Sequence, residues 1–118
     1  MIMLTLGFPP SLNTYWRRTG SRFYVCERGI QYRKDTRKAA VMALGFAYEP
    51  IRGSVSLTLD AYPPDRRKRD LDNLGKAVGD SLQHARVFLD DFQVDELHII
   101  RHVPVLGGKL VVTIEELE

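Results

Sequence analysis

The fold of this chain is decided by residues 54–84, which read SVSLTLDAYPPDRRKRDLDNLGKAVGDSLQH. From Ser54 to Ala61 polar and apolar residues alternate, and a period of two is typical of a strand with one buried face. Pro63-Pro64 ends that strand. Apolar residues then recur at helical spacing, which predicts a helix over 72–84. The stretch therefore predicts a strand and a helix joined by a charged loop.

The rest of the sequence predicts further strands, one more helix and a loop. Alternation predicts a strand over 4–8, and helix-forming residues with an apolar face predict a helix over 29–48. Residues 11–22 show no period and are predicted to form a loop, followed by a short strand at 23–25. Two strands over 94–103 and 109–114 are predicted to form a hairpin through Gly107-Gly108. This order predicts one α+β domain over residues 1–118, with a mainly antiparallel or mixed sheet of about four strands packed by two helices.

The net charge does not by itself indicate a partner. The 17 Lys and Arg residues against 15 Asp and Glu residues leave a formal charge of +2, so only clustering of the charges points to a nucleic acid. The single cysteine, Cys26, cannot form an internal disulfide, which suits a reducing cytoplasm. No apolar stretch approaches the length of a membrane span, so we expect no membrane partner.

The charges cluster where the loop meets the helix predicted over 72–84. Four consecutive cations, Arg66–Arg69, directly precede the carboxylates of Asp70 and Asp72. Hydrolysis of a phosphodiester requires an activated water and neutralisation of charge at phosphorus, and carboxylate-held Mg²⁺ supplies both. Asp90-Asp91, before the strand over 94–103, is a candidate for a further carboxylate at this site. Lys76 lies one helical turn after Asp72 and could orient the water or stabilise developing charge.

Each of these pieces also has a purely structural interpretation. An Asp at a helix start can be a cap, worth about 1 kcal/mol. Asp72 and Lys76 could be an exposed pair worth about 0.3–0.5 kcal/mol. Asp90-Asp91 could be an ordinary turn, and a basic run is usually a solvated loop. The combination favours a site, although the spacing does not establish that the pieces converge.

Two other metal sites are excluded. Residues 70–81 begin like an EF-hand loop, but Leu74 and Ser81 occupy its fifth and twelfth positions, where that loop requires oxygen ligands such as carboxylates. His98 and His102 lie about 13 Å apart on an extended strand, too far to share an ion, so we expect them on the sheet surface.

An aromatic and basic segment precedes the first predicted helix. Tyr15 and Trp16 could stack on unpaired bases while Arg17 and Arg18 hold phosphates. The same aromatic rings could instead cover the edge of the sheet. The sequence leaves both interpretations open.

Three ordered motifs resemble those of RusA-type Holliday junction resolvases, and the resemblance extends across nearly the whole chain. The motifs read Pro9-Pro10-Ser11-x-Asn13-x-Tyr15-Trp16-Arg17, then Asp65-Arg66-Arg67-x-Arg69-Asp70-Leu71-Asp72-Asn73-Leu74-x-Lys76, then Asp90-Asp91-x-Gln93-Val94. The resemblance implies a small, largely phage-associated homodimeric nuclease of DNA recombination and repair. It also implies that four-way DNA junctions are cut by paired nicks, with Mg²⁺ and no small-molecule cofactor.

By position, the resemblance implies that Asp70, Asp72 and Asp91 bind the metal, with Asp90 as a further candidate, and that Lys76 is essential. The candidate DNA-binding residues are the basic and aromatic ones of the two segments described above: Arg66, Arg67, Lys68, Arg69, Asn13, Tyr15, Trp16, Arg17 and Arg18. The chain departs from the family pattern at Arg86, where a glycine is usual, and at Phe92, where a small residue is usual. A loop that needs a positive φ would strain Arg86.

Two other functions compete with a nuclease. A junction- or RNA-binding module without catalysis would keep the basic surface, but a pure binder gains nothing by placing carboxylates beside phosphates. A structural phage protein would leave the juxtaposition of cations and carboxylates unexplained.

Overall fold

A computed structural model describes residues 1–118. No helix in it is both long enough and apolar enough to cross a membrane. In chain order the elements are β1 (Ile2–Leu6), α1 (Leu12–Tyr15), β2 (Trp16–Thr19), β3 (Arg22–Val25), α2 (Glu27–Leu44), β4 (Val55–Tyr62), α3 (Asp72–His84), a 3₁₀-helix (Asp91–Gln93), β5 (Val94–Arg101) and β6 (Lys109–Glu116).

The main sheet is mixed, with the strand order β1-β6-β4-β5. β6 runs antiparallel to both β1 and β4, whereas β5 runs parallel to β4. The alternation predicted for β4 is confirmed, because the apolar side chains from Val55 to Ala61 are at most 1% exposed. They belong to the same buried cluster as Tyr32 of α2 and Val78 of α3. Two helices thus cover one face of a four-stranded sheet, which confirms the predicted α+β class.

The predicted hairpin between the last two strands is wrong. Gly107 and Gly108 do adopt positive φ angles of 80° and 70°, but β4 lies between β5 and β6 in the sheet. The reason is the connection through α3, since a strand followed by a helix and a second strand forms a parallel crossover. This crossover sets β5 on one edge of β4 and leaves the other edge to β6.

The loop predicted over residues 11–22 is also wrong. This segment contains the single-turn helix α1 and, with the residues that follow, the antiparallel pair of β2 and β3. The strands turn at Gly20, whose φ is 62°. The strands are only four residues long and mostly exposed, so neither leaves an apolar period in the sequence.

The helix predicted over 29–48 ends earlier than expected. α2 stops at Leu44 because Gly45 adopts a φ of 89°, which breaks the helical path. Phe46, which falls within the predicted helix, lies outside α2 and is 83% exposed. The face that α2 does bury carries Tyr32, Thr36 and Ala40.

Candidate active site

The basic loop (Arg66–Arg69) is held by hydrogen bonds to Asp65, the residue that precedes it. Asp65 Oδ1 accepts from the backbone N–H of Arg67 at 2.9 Å and from Nη1 of Arg69 at 2.8 Å. The Arg69 hydrogen bond is the main reason that the pKa of Asp65 is lowered. The guanidinium of Arg69 also lies 5.4 Å from the centre of the Phe8 ring. Arg69 therefore anchors the loop, while Arg66, Arg67 and Lys68 face solvent.

Asp70 and Asp72 lie where this loop enters α3, and both side chains are exposed. The N-cap of α3 is Leu71, without a side-chain cap hydrogen bond, so neither aspartate is the cap that the structural interpretation required. No salt bridge joins Asp72 to Lys76, so the surface pair does not form. Asp70 lines an open cleft of about 640 Å³ together with the basic loop. These carboxylates are therefore available to a ligand.

Two glutamines hold the Asp90-Asp91 turn. Oε1 of Gln93 accepts from the N–H of Asp90 at 2.9 Å, and its Nε2 donates to the carbonyl of Ile51 at 2.8 Å. Oε1 of Gln83, on α3, accepts from the N–H of Asp91 at 3.0 Å. The Asp90 side chain accepts from the N–H two residues later at 2.9 Å and so caps the 3₁₀-helix. Asp90 therefore has a structural role as the cap of the 3₁₀-helix.

Asp91 does not join Asp70 and Asp72 in one cluster. α3 rises about 16 Å between Asp72 and Gln83, and Asp91 is bound at the Gln83 end. Burial raises the pKa of Asp91, and the nearby carboxylates of Asp90 and Asp80 raise it further. No group of three or more His, Cys, Asp or Glu residues is close enough to hold one metal ion. Within this single chain the three carboxylates therefore do not form one cluster, because Asp70 and Asp72 lie at the start of α3 and Asp91 lies near its end.

Asp80, on α3, is a further carboxylate near Asp91, and it was not among the residues predicted from the sequence. Its carboxylate accepts from Nε of Arg33 at 2.9 Å and from the Tyr15 hydroxyl. A signal was present in the sequence, since Asp72, Lys76 and Asp80 recur every four residues and therefore share one face of α3. The sequence could not show that Asp91 lies near the end of the same face of α3.

Tyr15 is a core residue and is not available to DNA. Its side chain is 0% exposed, and its hydroxyl also lies 2.8 Å from Oγ of Ser81. Burial, together with the hydrogen bond to Asp80, raises the pKa of Tyr15 to about 12. Stacking of Tyr15 on bases is therefore excluded, because the ring is enclosed between α1, α2 and α3.

Lys76 lines a groove of about 460 Å³ between α3 and the hairpin of β2 and β3. Other residues of this groove come from the predicted DNA-binding set: Asn13, Trp16, Arg17 and Arg18. Leu12 lines both this groove and a neighbouring cleft that contains Asp70 and most of the basic loop. The groove that contains Lys76 and the cleft that contains the basic loop are therefore neighbours, and both lie beside the first turns of α3.

The two histidines have separate partners on the sheet. Nε2 of His102 lies 2.7 Å from Oδ1 of Asp60, and its ring stacks on Tyr62 with centres 4.6 Å apart. His98 lies 3.8 Å from Glu96. These contacts account for both side chains without a shared metal ion.

Arg86 has the strained backbone that the sequence predicted. Its φ is 61°, and it is the only non-glycine residue with a positive φ. The left-handed conformation costs an L-residue roughly 1–2 kcal/mol.

We expect Arg86→Gly to raise the free energy of unfolding by about 0.5–1 kcal/mol in urea titrations, because relief of the Cβ clash exceeds the greater entropy that glycine loses. Arg86→Ala keeps the Cβ atom and should show no gain, and equal gains in both variants would contradict this explanation.

The sequence matches the family model described as Endodeoxyribonuclease RusA over residues 7–115. A protein of Enterobacteria phage HK97, named crossover junction endodeoxyribonuclease RusA, is 44% identical over 113 residues, which cover 96% of this chain and 92% of the phage protein. Proteins with the same name from Escherichia coli strain K12 and Enterobacteria phage 82 are 38% and 36% identical over 117 residues, 97% of this chain and 93% of theirs. The matched region contains the basic loop, α3 and the Asp90-Asp91 turn, and the chain belongs to the RusA family of endodeoxyribonucleases.

Proposed function

We propose that this chain is a crossover junction endodeoxyribonuclease, which hydrolyses phosphodiesters in Holliday (four-way) junctions by Mg²⁺-dependent paired nicking. The observation that carries the proposal is the Asp70 and Asp72 pair, two exposed carboxylates with no cap or salt-bridge role, next to the basic loop. A protein that only binds DNA gains nothing from free anions beside phosphates. The names of the relatives support the choice of substrate.

The biological role proposed is DNA recombination and repair in the cytoplasm of a bacterial cell. The gene would be bacterial or carried by a phage or prophage, in keeping with relatives from both sources.

The donor atoms fit Mg²⁺ in number and type. Mg²⁺ is usually bound through one or two carboxylates, with waters and substrate phosphates completing the octahedron. Asp70 and Asp72 would be one such pair. Asp91, with Asp90 beside it, would be a separate set of carboxylate ligands near the other end of the α3 face. When bound, the metal supplies Lewis-acid stabilisation and lowers the pKa of a coordinated water.

The remaining roles, charge stabilisation and phosphate binding, fall to Lys76, the basic loop and the cations of the hairpin. Lys76 lies on α3 between the two sets of carboxylates, where its ammonium stabilises the negative charge that develops on the phosphate as the attacking oxygen adds. The solvent-facing part of the basic loop holds phosphates on one side of this face. Asn13, Trp16, Arg17 and Arg18 contact the DNA on the other side.

The deciding experiment compares a labelled four-way junction with a linear duplex of matched sequence, each with and without Mg²⁺. We expect paired nicks in the junction in the presence of Mg²⁺ and intact duplex throughout. Junction binding without nicks at any Mg²⁺ concentration would favour the non-catalytic binding module. Equal cutting of the duplex would contradict selectivity for junctions.

We propose further that the enzyme is a homodimer formed through the outer edge of β5, which pairs with no strand. β5 lacks the Lys and Pro residues that usually protect such an edge, and Leu97 and Ile100 are 50% and 45% exposed. Antiparallel self-pairing centred on His98 sets Asp95 opposite Arg101, which pairs opposite charges. A two-fold dimer of this kind presents two equivalent sites to the approximately two-fold junction.

Light scattering tests the dimer. We expect the parent protein to have twice the 13.5 kDa mass of the chain, and Leu97→Lys to have the monomer mass, because the charge disfavours pairing at the edge. Met42→Lys is the matched control, since Met42 is 80% exposed on α2, away from β5. A monomeric parent, or a dimeric Leu97→Lys protein, would contradict the proposed interface.

A further inference from the structure

The hairpin of β2 and β3 forms its own two-stranded sheet, apart from the main sheet. Its base is fixed, because Tyr15 directly before it is fully buried and the Tyr15 carbonyl accepts from the N–H of Cys26 at 2.7 Å. Gly29 of α2 permits this close approach, since a Cβ atom there would lie 2.7 Å from the same carbonyl oxygen. The hairpin residues farther from this attachment point, from Arg17 to Tyr24, are all exposed. The hairpin is thus exposed to solvent along most of its length and is packed against the core only where it begins and ends.

Phe23 lies on the face of the hairpin that is turned towards the protein. The strand register pairs Trp16 with Val25 and Arg18 with Phe23, so these four side chains share one face. Trp16 and Val25 pack against the core, and Phe23, farther out on the same face, lines the groove that contains Lys76. The Phe23 side chain nevertheless remains 71% exposed. An aromatic ring therefore faces a groove that no protein side chain fills.

The charges around Phe23 indicate what the groove accepts. Arg17, Arg18 and Lys76 line it, and no Asp or Glu does. The guanidinium of Arg18 lies 5.6 Å from the centre of the Phe23 ring. The volume of about 460 Å³ falls within the range of small-ligand sites, roughly 300–1,000 Å³. A flat ring beside cations is complementary to a nucleotide, which combines a stackable base with an anionic phosphate.

We infer that Phe23 stacks on an unpaired base of the DNA substrate, while Arg17, Arg18 and Lys76 hold the adjoining phosphates. A base that remains stacked inside a duplex cannot present its face to Phe23, so this contact selects DNA with unstacked nucleotides. The inference rests on the proposed function for the identity of the substrate as DNA. It adds a specificity-determining residue that acts through stacking and not through chemistry.

The test measures binding by fluorescence anisotropy in EDTA, so that no cutting occurs. The probes are a duplex with a two-nucleotide bulge, a four-way junction and a linear duplex of the same length. We expect Phe23→Ala to weaken binding to the bulged duplex by about 5- to 150-fold, the range for loss of one base–aromatic stack. Binding to linear duplex should change by less than about twofold, because phosphate contacts remain. Phe23→Tyr keeps an aromatic ring and should bind the bulged duplex like the parent.

Phe46→Ala is the matched control, since Phe46 is 83% exposed beyond the end of α2 and lines no part of the groove. Unchanged binding of the bulged duplex by Phe23→Ala would overturn the inference, as would an equal loss on linear duplex or a parent that binds none of the three DNAs. Failure of the parent to nick junctions in Mg²⁺ would contradict the proposed function instead. That result leaves the comparison of bulged and linear DNA intact, so the two failures are distinguishable.

Discussion

Asp70→Asn is expected to bind a four-way junction at least as tightly as the parent protein does and to nick it about 10²- to 10³-fold more slowly. The substitution keeps the shape of the side chain but replaces an anionic oxygen with an amide, which weakens the hold on Mg²⁺ and the charge stabilisation that depends on it. Binding is not weakened, because the phosphates are attracted by the basic loop and repelled by Asp70. Single-turnover nicking and anisotropy with one labelled junction measure the two effects separately.

Asp35→Asn is the matched control for this prediction. Asp35 is exposed on α2, and its carboxylate accepts from Gln31 at 2.9 Å, away from the basic loop and the groove. We expect its nicking and binding to equal those of the parent. An Asp70→Asn protein that cuts as fast as the parent would remove Asp70 from the catalytic set. Loss of binding and cutting together would make Asp70 a DNA-binding residue or a residue needed for folding.

Tyr15→Ala is expected to lower the free energy of unfolding by about 3–5 kcal/mol, as for other large aromatic side chains removed from a core. Tyr15 is fully buried, so its truncation leaves a cavity between three helices and takes a partner from Asp80. Tyr15→Phe keeps the ring and should cost about 1–3 kcal/mol, because Asp80 and Ser81 lose a hydrogen bond in a largely buried place. Urea unfolding of both variants gives the two values.

Tyr24→Ala provides the comparison for an exposed tyrosine on the neighbouring hairpin. Tyr24 is 51% exposed, and we expect its removal to change stability by less than about 0.5 kcal/mol. A Tyr15→Ala protein that is as stable as the parent yet binds DNA weakly would restore the stacking role that the sequence had left open. The expected order of stabilities, Tyr24→Ala above Tyr15→Phe above Tyr15→Ala, follows from the burial of the Tyr15 ring and from the hydrogen bonds of its hydroxyl.

The features predicted correctly from the sequence are those that depend on near neighbours in the chain. The strand predicted from the alternation in β4 and the helix predicted from the spacing in α3 are both confirmed, because each pattern depends only on which face of one element is buried. The positive φ at Arg86 was also expected, although that expectation came from the resemblance to the RusA family and not from the residues themselves. In β4 and α3 the controlling interactions are local, so the pattern of residues is sufficient evidence.

The errors concern contacts between elements distant in sequence. β5 and β6 looked like a hairpin, since the Gly107-Gly108 turn between them has the expected φ angles, yet the parallel crossover through α3 inserted β4 between them. Tyr15 looked as available as Trp16 in a segment without a period. Only the packing of α1 against two other helices shows that one ring is buried and the other is half-buried.

The sequence by itself determined the chemical groups of this protein: the cations of the basic loop, the carboxylates of Asp70 and Asp72, and Lys76 one turn later. The tertiary structure decided how these groups meet. Neither Asp70 nor Asp72 caps α3 or pairs with Lys76. Asp91 is hydrogen-bonded to Gln83 near the other end of α3, and Phe23 lines the same groove as Lys76 and the cations of the hairpin. The physical reason is that spacing within a helix or strand follows from the backbone period, whereas distances between elements follow from how their apolar faces pack.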